Sequence, residues 1–369
     1  MRVALPGRTK PGMKSHPDII VLFSGGLDSI LATKILERQG LSVRCLHCTS
    51  PFFGAPEAVN SWKALYGLDV VVRDVGEDFA AMLRARPAHG FGKALNPCVD
   101  CKILLLRKAR LYMEEQGARA LATGEVLGQR PMSQRRDALH VITREAGVGD
   151  VLLRPLCALH LPPTGVEQSG FVDRSRLLGM WGRGRSAQLE LAREYGLADI
   201  PTPGGGCRLT ERENARRYWQ VLTRLSRPHA GDFALANMGR QFWHCANAVH
   251  YWLCVGRNSA DNERLARAAG PEDALLRLRD MPGPLALARG GALWPEEVLR
   301  SAAGMAASYA PKAVAAGTAH VRIRRGKRSE DAHVLPARGS DIWGEPAWEE
   351  VRGQIRAEAR ERAAREGRR

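Results

Sequence analysis

The sequence predicts an α/β fold with a doubly wound parallel sheet, followed by a smaller α+β domain. Between residue 18 and about residue 125, short runs rich in β-branched residues alternate with helical patterns. This alternation is typical of a parallel sheet with helices on both faces, and ligands of such sheets bind at the carboxyl ends of the strands. We expect strands at 19–23, 42–47, 69–72 and 120–123, and helices at 29–39, 56–66 and 100–116.

Four segments follow from composition along the chain. Residues 1–17 are basic and lack an apolar run, which predicts a disordered lead-in rather than a signal peptide. Residues 18–230 form the first domain, whose part after residue 125 is irregular, basic and oriented toward the substrate. Residues 231–330 form the second domain, and 331–369 a charged tail. From about Gly344 the tail is rich in Arg, Glu and Ala, and we expect a solvated helix or disorder there.

Net charge and cysteine usage restrict the protein class. Lys and Arg outnumber Asp and Glu by 55 to 39, and such an excess attracts polyanions, nucleic acid first. No run approaches the roughly 20 apolar residues of a membrane span, so we expect a cytoplasmic protein with no membrane partner. The eight cysteines are unevenly spaced in a long chain, which argues against a secreted disulfide framework.

The segment SGGLDS joins the first predicted strand to the first predicted helix. Its glycines permit a tight turn, successive N–H groups then face one concavity, and the helix adds its positive end. The turn is therefore an anion site suited to phosphate. It has no lysine, and no G-x-x-x-x-G-K-[ST] motif occurs in the chain, which excludes the common kinase-like phosphate loop. Its residues are Ser24, Gly25, Gly26, Leu27, Asp28 and Ser29.

Three cysteines stand apart from the others. Cys98 and Cys101 open a predicted helix, where the helix N-terminus favours thiolate, and half of a structural zinc site is the alternative. Cys207 follows three glycines in a loop that brings its backbone close to a neighbour. Cys45 and Cys48 lie on a predicted central strand, where we expect them to fill the core.

SGGLDS resembles the SGGxDS signature of the PP-loop ATP pyrophosphatase superfamily. The resemblance implies that ATP is cleaved between its α and β phosphates and that a substrate oxygen is adenylated. It also implies that the turn holds pyrophosphate and that Asp28 helps to hold Mg²⁺. The segment ATGEVLG resembles a second nucleotide-side element of the thiolating members, which implies that Thr123 and Gly124 lie near AMP.

NPCVDCK and PTPGGGC resemble elements of the tRNA thiolation branch, the 2-thiouridylase and 4-thiouridine synthetase type. By that resemblance Cys101 is catalytic and Cys207 carries a persulfide. Cys98 stands where purely thiol-dependent members commonly have Asp, and a CxxC with one distant Cys is similar to the [4Fe-4S] thiolases. We expect a cluster on Cys98, Cys101 and Cys207, with the persulfide as the alternative, and cysteine desulfurase or sulfide as the sulfur donor.

The segments VGRNSADNERLARAA, MPGP and AAGMAASYAPKA, within residues 238–328, resemble the NFACT-R RNA-binding module. The usual Trp/His segment before its Pro-Gly is missing here. The basic strand HVRIRRGKR suits phosphate contacts, with a charge-protected edge strand as the alternative reading. Candidate RNA contacts are Arg130, Arg135, Arg136, Arg183, Arg185, Arg257, Lys312, Arg324 and Arg325.

Together the resemblances imply ATP-dependent thiolation of a tRNA uridine, in which sulfur replaces an adenylated carbonyl oxygen. One alternative is another PP-loop tRNA-modifying ligase, such as a lysidine synthase, which does not need three thiols. The other is a non-enzymatic RNA-binding factor with a vestigial ATP site, against which the intact SGGLDS turn argues.

Overall fold

The computed structural model describes residues 16–201, 206–337 and 342–366. Most of the predicted lead-in and most of the PTPGGG segment lie outside these ranges. The chain divides into two units. The first contains residues up to Phe79, Pro87–Gly92 and Asn96–Cys207, and the second contains Ala80–Arg86, Lys93–Leu95 and the residues from Arg208 onward.

The first unit contains a five-stranded parallel sheet in the order β3-β2-β1-β4-β5. The four strands predicted from the sequence are confirmed within two residues. The fifth was not predicted, because a two-residue strand has no readable periodicity. The strands are β1 (Ile19–Leu22), β2 (Val43–Thr49), β3 (Val70–Asp74), β4 (Ala120–Thr123) and β5 (Leu152–Leu153).

Helices cover both faces of this sheet, as the predicted fold class requires. These helices are α1 (Leu27–Glu37), α2 (Val59–Tyr66), α4 (Cys98–Glu115), α5 (Arg136–Ala146), α6 (Gly165–Gln168) and α7 (Ser186–Glu194). Helix α3 (Gly76–Ala85) begins in the first unit, and its residues from Ala80 onward belong to the second. Strand β1 is buried on both faces, which is typical of a central parallel strand. Ile19 packs in the core on the α1 side, and Ile20 packs in the core that includes Leu106 of α4.

The second unit contains a six-stranded antiparallel sheet in the order β11-β10-β8-β9-β7-β6. Helix α11 packs on one face, where its alanines and Val298 share a core with alternate residues of the strands. The strands are β6 (Arg240–Ala246), β7 (Val249–Val255), β8 (Ala274–Leu278), β9 (Leu285–Arg289), β10 (Ala319–Arg325) and β11 (Arg328–Val334). The helices are α8 (Arg212–Arg224), α9 (Ala230–Ala236), α10 (Ser259–Ala268), α11 (Glu296–Ala307), α12 (Pro311–Ala316) and α13 (Trp348–Glu366).

The segment expected to be a charged tail, 331–369, contains regular structure. Strand β11 extends to Val334, and α13 packs on α8 within the second unit. Val351 and Ile355 are both buried in a helix that is rich in charged residues. The indole nitrogen of Trp219 also donates a hydrogen bond to Gln354 Oε1 at 2.8 Å. Among the described helices, none is long and apolar enough to cross a lipid bilayer.

Close packing between β4 and α1 fixes the edge of the parallel sheet. A Cβ atom at Gly124, directly after β4, would lie 2.5 Å from the backbone carbonyl of Asp28 and from the amide nitrogen of Ser29. Backbone atoms in a helix cannot move aside as a flexible side chain does. Glycine is therefore required at position 124 for the carboxyl end of β4 to meet the first turn of α1.

We predict that Gly124→Ala displaces the first turn of α1, lowers the melting temperature and weakens ATP binding at this edge. The matched control is Gly149→Ala, where the nearest atom to a new Cβ would be Thr143 Cγ2 at an ordinary 3.8 Å. Thermal unfolding and ATP titration of both variants measure the effect. Parental behaviour of Gly124→Ala would contradict the steric argument.

Candidate functional site

The SGGLDS turn follows β1 directly and rests on an aromatic cluster. Gly25 has φ = +81°, and a Cβ there would lie 2.3 Å from Cζ2 of Trp62. The Trp62 ring packs edge-on against Phe23 and His47, with ring centroids 5.1 and 4.8 Å apart. Only glycine satisfies both the positive φ and the close approach to the indole.

Two serines hold the turn in shape. Ser29 Oγ donates to the Gly26 carbonyl at 2.7 Å, and the Gly26 amide donates to Ser24 Oγ at 3.4 Å. Gly26 has an extended backbone at the N-cap of α1, and Leu27 is buried in the core behind it. The turn thus presents the amino end of an 11-residue helix at the carboxyl edge of the sheet.

His47 supports the turn from β2. The Ala55 amide donates to His47 Nε2 at 2.9 Å, so the proton is on Nδ1, which donates to the Phe23 carbonyl at 3.0 Å. Burial lowers the pKa of His47 and keeps the imidazole neutral. Phe23, the residue before the turn, is therefore held by the neutral imidazole of His47.

Asp28 is the acidic group of the turn. Its Oδ1 atom is buried and accepts no hydrogen bond from any described residue. Burial raises the pKa of Asp28, while Gln129, Arg185 and Arg130 lie close enough to oppose that shift. An unpartnered carboxylate oxygen beside a phosphate-shaped turn is a fitting ligand for Mg²⁺.

A buried ion network lies next to Gly124. Arg154 Nε donates to Glu125 Oε2 at 2.9 Å, and Thr123 Oγ1 donates to the same oxygen at 3.1 Å. Lys102 Nζ lies 3.6 Å from Glu125 Oε1. Burial alone would raise the pKa of Glu125, but the two cations outweigh it and lower that pKa.

Sequence reasoning missed Lys102, Glu125 and Arg154. Glu125 and Arg154 follow β4 and β5 within two residues, so both stand at the carboxyl ends of neighbouring parallel strands. Residues at the carboxyl ends of parallel strands are candidates for ligand binding. Predicting that these two residues are neighbours would have required the strand order and the existence of β5.

The cysteines gather at the start of α4. Burial raises the pKa of the Cys101 thiol, and the neighbouring thiols of Cys207, Cys98 and Cys48 add to the shift. The Asn96 amide lies 3.2 Å from Cys98 Sγ. The three cysteines that the sequence singled out are therefore near enough for Cys98 and Cys207 to act electrostatically on Cys101, and Cys48 acts on it as well.

The expected thiolate at the helix N-terminus is wrong for Cys101. Its pKa moves upward because packing removes the thiol from water, and desolvation penalises the charged form. Lys102 opposes the shift without reversing it. Cys45 and Cys48 are buried, and burial raises the pKa of each to about 12, as expected for core residues.

Cys98, Cys101 and Cys207 are the expected ligands of the cluster. None of the eight cysteines, which all lie in described segments, forms a disulfide. Within residues 16–201, 206–337 and 342–366, no group of three or more His, Cys, Asp or Glu side chains is arranged to hold a metal ion. The thiols as they stand do not fit a [4Fe-4S] cluster, and the cluster stays a prediction.

The candidate RNA contacts of the first unit differ in their surroundings. Arg130 and Arg185 face Asp28 in the turn. Arg135 pairs with Asp137 at 2.8 Å, and Arg136 donates to the His160 carbonyl at 2.9 Å. Arg183 is exposed.

The second unit carries the remaining candidates. Arg257 pairs with Asp261 at 2.6 Å, and Arg325 pairs with Glu330. Lys312 on α12 and Arg324 on β10 are exposed. Arg324 therefore offers a more accessible charge than Arg257 or Arg325.

Comparison with known proteins identifies relatives of part of the chain. Residues 15–161 match the family described as thiamine biosynthesis protein (ThiI). The chain is 33% identical over 174 residues to a tRNA sulfurtransferase from Pyrobaculum aerophilum, and 28% identical over 183 residues to one from Thermoplasma acidophilum. These alignments cover 45% and 47% of this chain. They cover only 33% and 35% of the relatives, so the chain spans about a third of their length.

Among solved structures, the chain is similar to a predicted subunit of a tRNA methyltransferase from Methanocaldococcus jannaschii. The alignment has 18% identity and covers 38% of this chain and 69% of that chain. Its TM-score of 0.28 is too low for a structural conclusion. The family match ends at residue 161, so the NFACT-R-like identity of residues 238–328 stays a prediction.

The sequence match and the geometry agree on the first unit. The matched residues include the SGGLDS turn, the NPCVDCK segment and the ATGE segment at the carboxyl edge of the parallel sheet. Over residues 15–161, the part that contains the parallel sheet and these three segments, the chain is thus similar to the ThiI family.

Proposed function

We propose that the protein is an ATP-dependent tRNA sulfurtransferase that replaces a uridine carbonyl oxygen with sulfur. The observation that carries the proposal is the grouping of Cys101 with Cys98 and Cys207 in the unit that also contains the SGGLDS turn. A ligase that forms an amide or amine bond has no use for such a group of thiols. A vestigial ATP site has no need of an intact turn.

The turn binds the phosphates of ATP. Backbone amides at the start of α1 face the pyrophosphate, and Asp28 would hold Mg²⁺, which would supply positive charge for the leaving group. Arg130 and Arg185 neutralise further phosphate charge from beside Asp28. The uracil carbonyl oxygen attacks the α-phosphorus, the bond to the β-phosphate oxygen breaks, and pyrophosphate leaves.

Sulfur transfer then uses the thiols. A sulfur donor, either a cysteine desulfurase or sulfide with an oxidant, charges Cys207 as a persulfide. The terminal sulfur attacks the adenylated carbon, and AMP leaves with the former carbonyl oxygen. Cys101 then attacks the Cys207 sulfur, which releases thiouridine and leaves a Cys101–Cys207 disulfide for an external thiol to reduce.

The state of Cys101 suits this order of events. Its raised pKa keeps the thiol protonated, so it does not compete with the persulfide for the activated carbon. Lys102 is the adjacent cation that favours the thiolate when Cys101 attacks. Glu125 and Arg154 position Lys102, since their ion network is buried beside it.

The second unit supplies an accessible basic surface for tRNA. Along β10, Val321 and Ile323 are buried while Arg322 and Arg324 are exposed, and Arg322 lies opposite Arg277 of β8. Among the described residues, Arg277 and Arg324 take part in no ion pair, whereas Arg322 pairs with Asp331 at 2.9 Å. A cavity of about 510 Å³ beside them is lined by Arg277, Leu278, Arg279, Met281, Pro282, Gly283 and Arg322.

Asp28→Ala tests the nucleotide step. We expect it to abolish tRNA-dependent pyrophosphate exchange and thionucleoside formation while tRNA affinity stays near the parental value, because Asp28 serves ATP and not RNA. The control is Glu114→Ala, which removes a surface ion pair with Arg110 far along α4 and leaves both activities intact. Thiolation by Asp28→Ala at the parental rate contradicts the assignment of the turn.

Cys98→Ala separates the two sulfur mechanisms. The persulfide route predicts that Cys101→Ala and Cys207→Ala abolish thiolation while Cys98→Ala retains it. A cluster needs all three thiolates, so in that case anaerobically purified protein contains iron, and each of the three variants loses both iron and activity. Cys45→Ala is the control, with a packing cost of about 1 kcal/mol and full activity.

Arg324→Gln tests the RNA surface. Loss of one phosphate contact reduces the slope of log affinity against log salt by about 1, measured with unfractionated tRNA at several salt concentrations. Arg300→Gln on α11 is the control, since it removes an exposed charge already paired with Glu296. An unchanged slope in Arg324→Gln shows that this strand does not contact tRNA.

A further inference from the structure

Trp181 is exposed in a way that the other tryptophans are not. All eight tryptophans lie in described segments, and Trp181 is 72% exposed, whereas Trp348 is half-buried and the other six are 9% exposed or less: Trp62, Trp219, Trp243, Trp252, Trp294 and Trp343. An indole in water forgoes the stabilisation that its large apolar surface gains on burial. The exposed position of Trp181 is therefore better explained by ligand binding than by a contribution to folding.

The backbone around Trp181 is fixed rather than loose. Trp181 forms a parallel bridge with Leu127, and the Gly182 amide donates to the Leu127 carbonyl at 2.8 Å. A Cβ at Gly128 would lie 3.3 Å from the indole nitrogen of Trp181. Glycine at 128, with φ = +80°, thus leaves room for the indole against the backbone.

Two cationic segments flank this indole. The segment paired with Trp181 continues to Gln129 and Arg130, which approach the carboxylate of Asp28. Two residues after Trp181, Arg183 is exposed, and Arg185 also acts on Asp28. The exposed ring therefore adjoins the segment whose next residues, Gln129 and Arg130, reach Asp28, and we call this border of the phosphate-binding turn its rim.

We propose that Trp181 is a stacking platform for an unpaired nucleobase of the RNA substrate at the entrance to the site. The inference rests on the proposed function and adds a binding residue to it. Unpaired bases are held by stacking on aromatic side chains next to arginines that contact phosphate. An enzyme that alters a base carbonyl also needs that base out of its stack.

RNA is a better ligand for this indole than an apolar protein partner or the adenine of ATP. An apolar protein partner is disfavoured because three arginines at the rim present charge that it does not complement. The adenine of ATP is disfavoured because the indole lies at the exposed rim, whereas nucleotides of such sheets bind in the crevice at the strand ends. The test below distinguishes both of these ligands from RNA.

The test compares Trp181→Ala and Trp181→Phe in the full chain, using unfractionated tRNA. Stacking is worth roughly 1–3 kcal/mol per base, so Trp181→Ala weakens tRNA binding by about 5- to 150-fold. Trp181→Phe retains most of the affinity. The salt slope stays parental in both, because no charge is lost, and the melting temperature is unchanged. Arg183→Gln is the contrast, with its slope reduced by about 1.

Three results overturn the inference. One is a parental tRNA affinity in Trp181→Ala. Another is a raised KM for ATP with unchanged tRNA binding, which assigns the ring to adenine. The third is equal loss of affinity in Trp181→Phe and Trp181→Ala, which removes aromatic stacking as the cause. Because tRNA binding is measured without turnover, absence of thiolation by the parental protein refutes the proposed function separately.

Discussion

The close approach of Gly124 to the first turn of α1 is the contact on which the rest of the site depends. It brings the carboxyl end of β4 against the backbone of Asp28 and Ser29. The next residue, Glu125, is then buried where Lys102 from α4 and Arg154 after β5 converge on it. Because Gly124 has no side chain, the SGGLDS turn, the Glu125 ion network and the start of α4 can lie together at one edge of the sheet.

Opposing electrostatic effects act on that edge. Desolvation pushes Asp28 and Cys101 toward their neutral forms, while arginines and a lysine favour their charged forms. In the proposed reaction, the negative charge of ATP or of a sulfur intermediate meets these cations without reorganisation. Until such an anion binds, burial favours the neutral forms of Asp28 and Cys101.

Local patterns in the sequence were sufficient for the strands β1 to β4, because short apolar runs between helical segments leave few alternatives. They were also sufficient for the turn, whose glycines have few other uses. They did not predict β5, the ion network around Glu125 or the upward shift of the Cys101 pKa. Those depend on which strands become neighbours and on which groups lose contact with water. For α13 the charged composition predicted a solvated helix or disorder. Its packing was not predicted, because Val351 and Ile355 are two buried apolar residues in a helix of 19 that is rich in charged residues.

The indole of Trp62 shows how far the phosphate motif extends beyond its six letters. Gly25 lies against this ring, which is held in turn by Phe23 and by a neutral His47. The ring contributes shape to a site that it does not itself line with polar atoms. A chain that kept SGGLDS but carried a small residue at position 62 would leave a void beneath Gly25, and the amides above it would lose their fixed spacing. Position 62 therefore belongs to the motif in space, although more than thirty residues separate it from the motif in the chain.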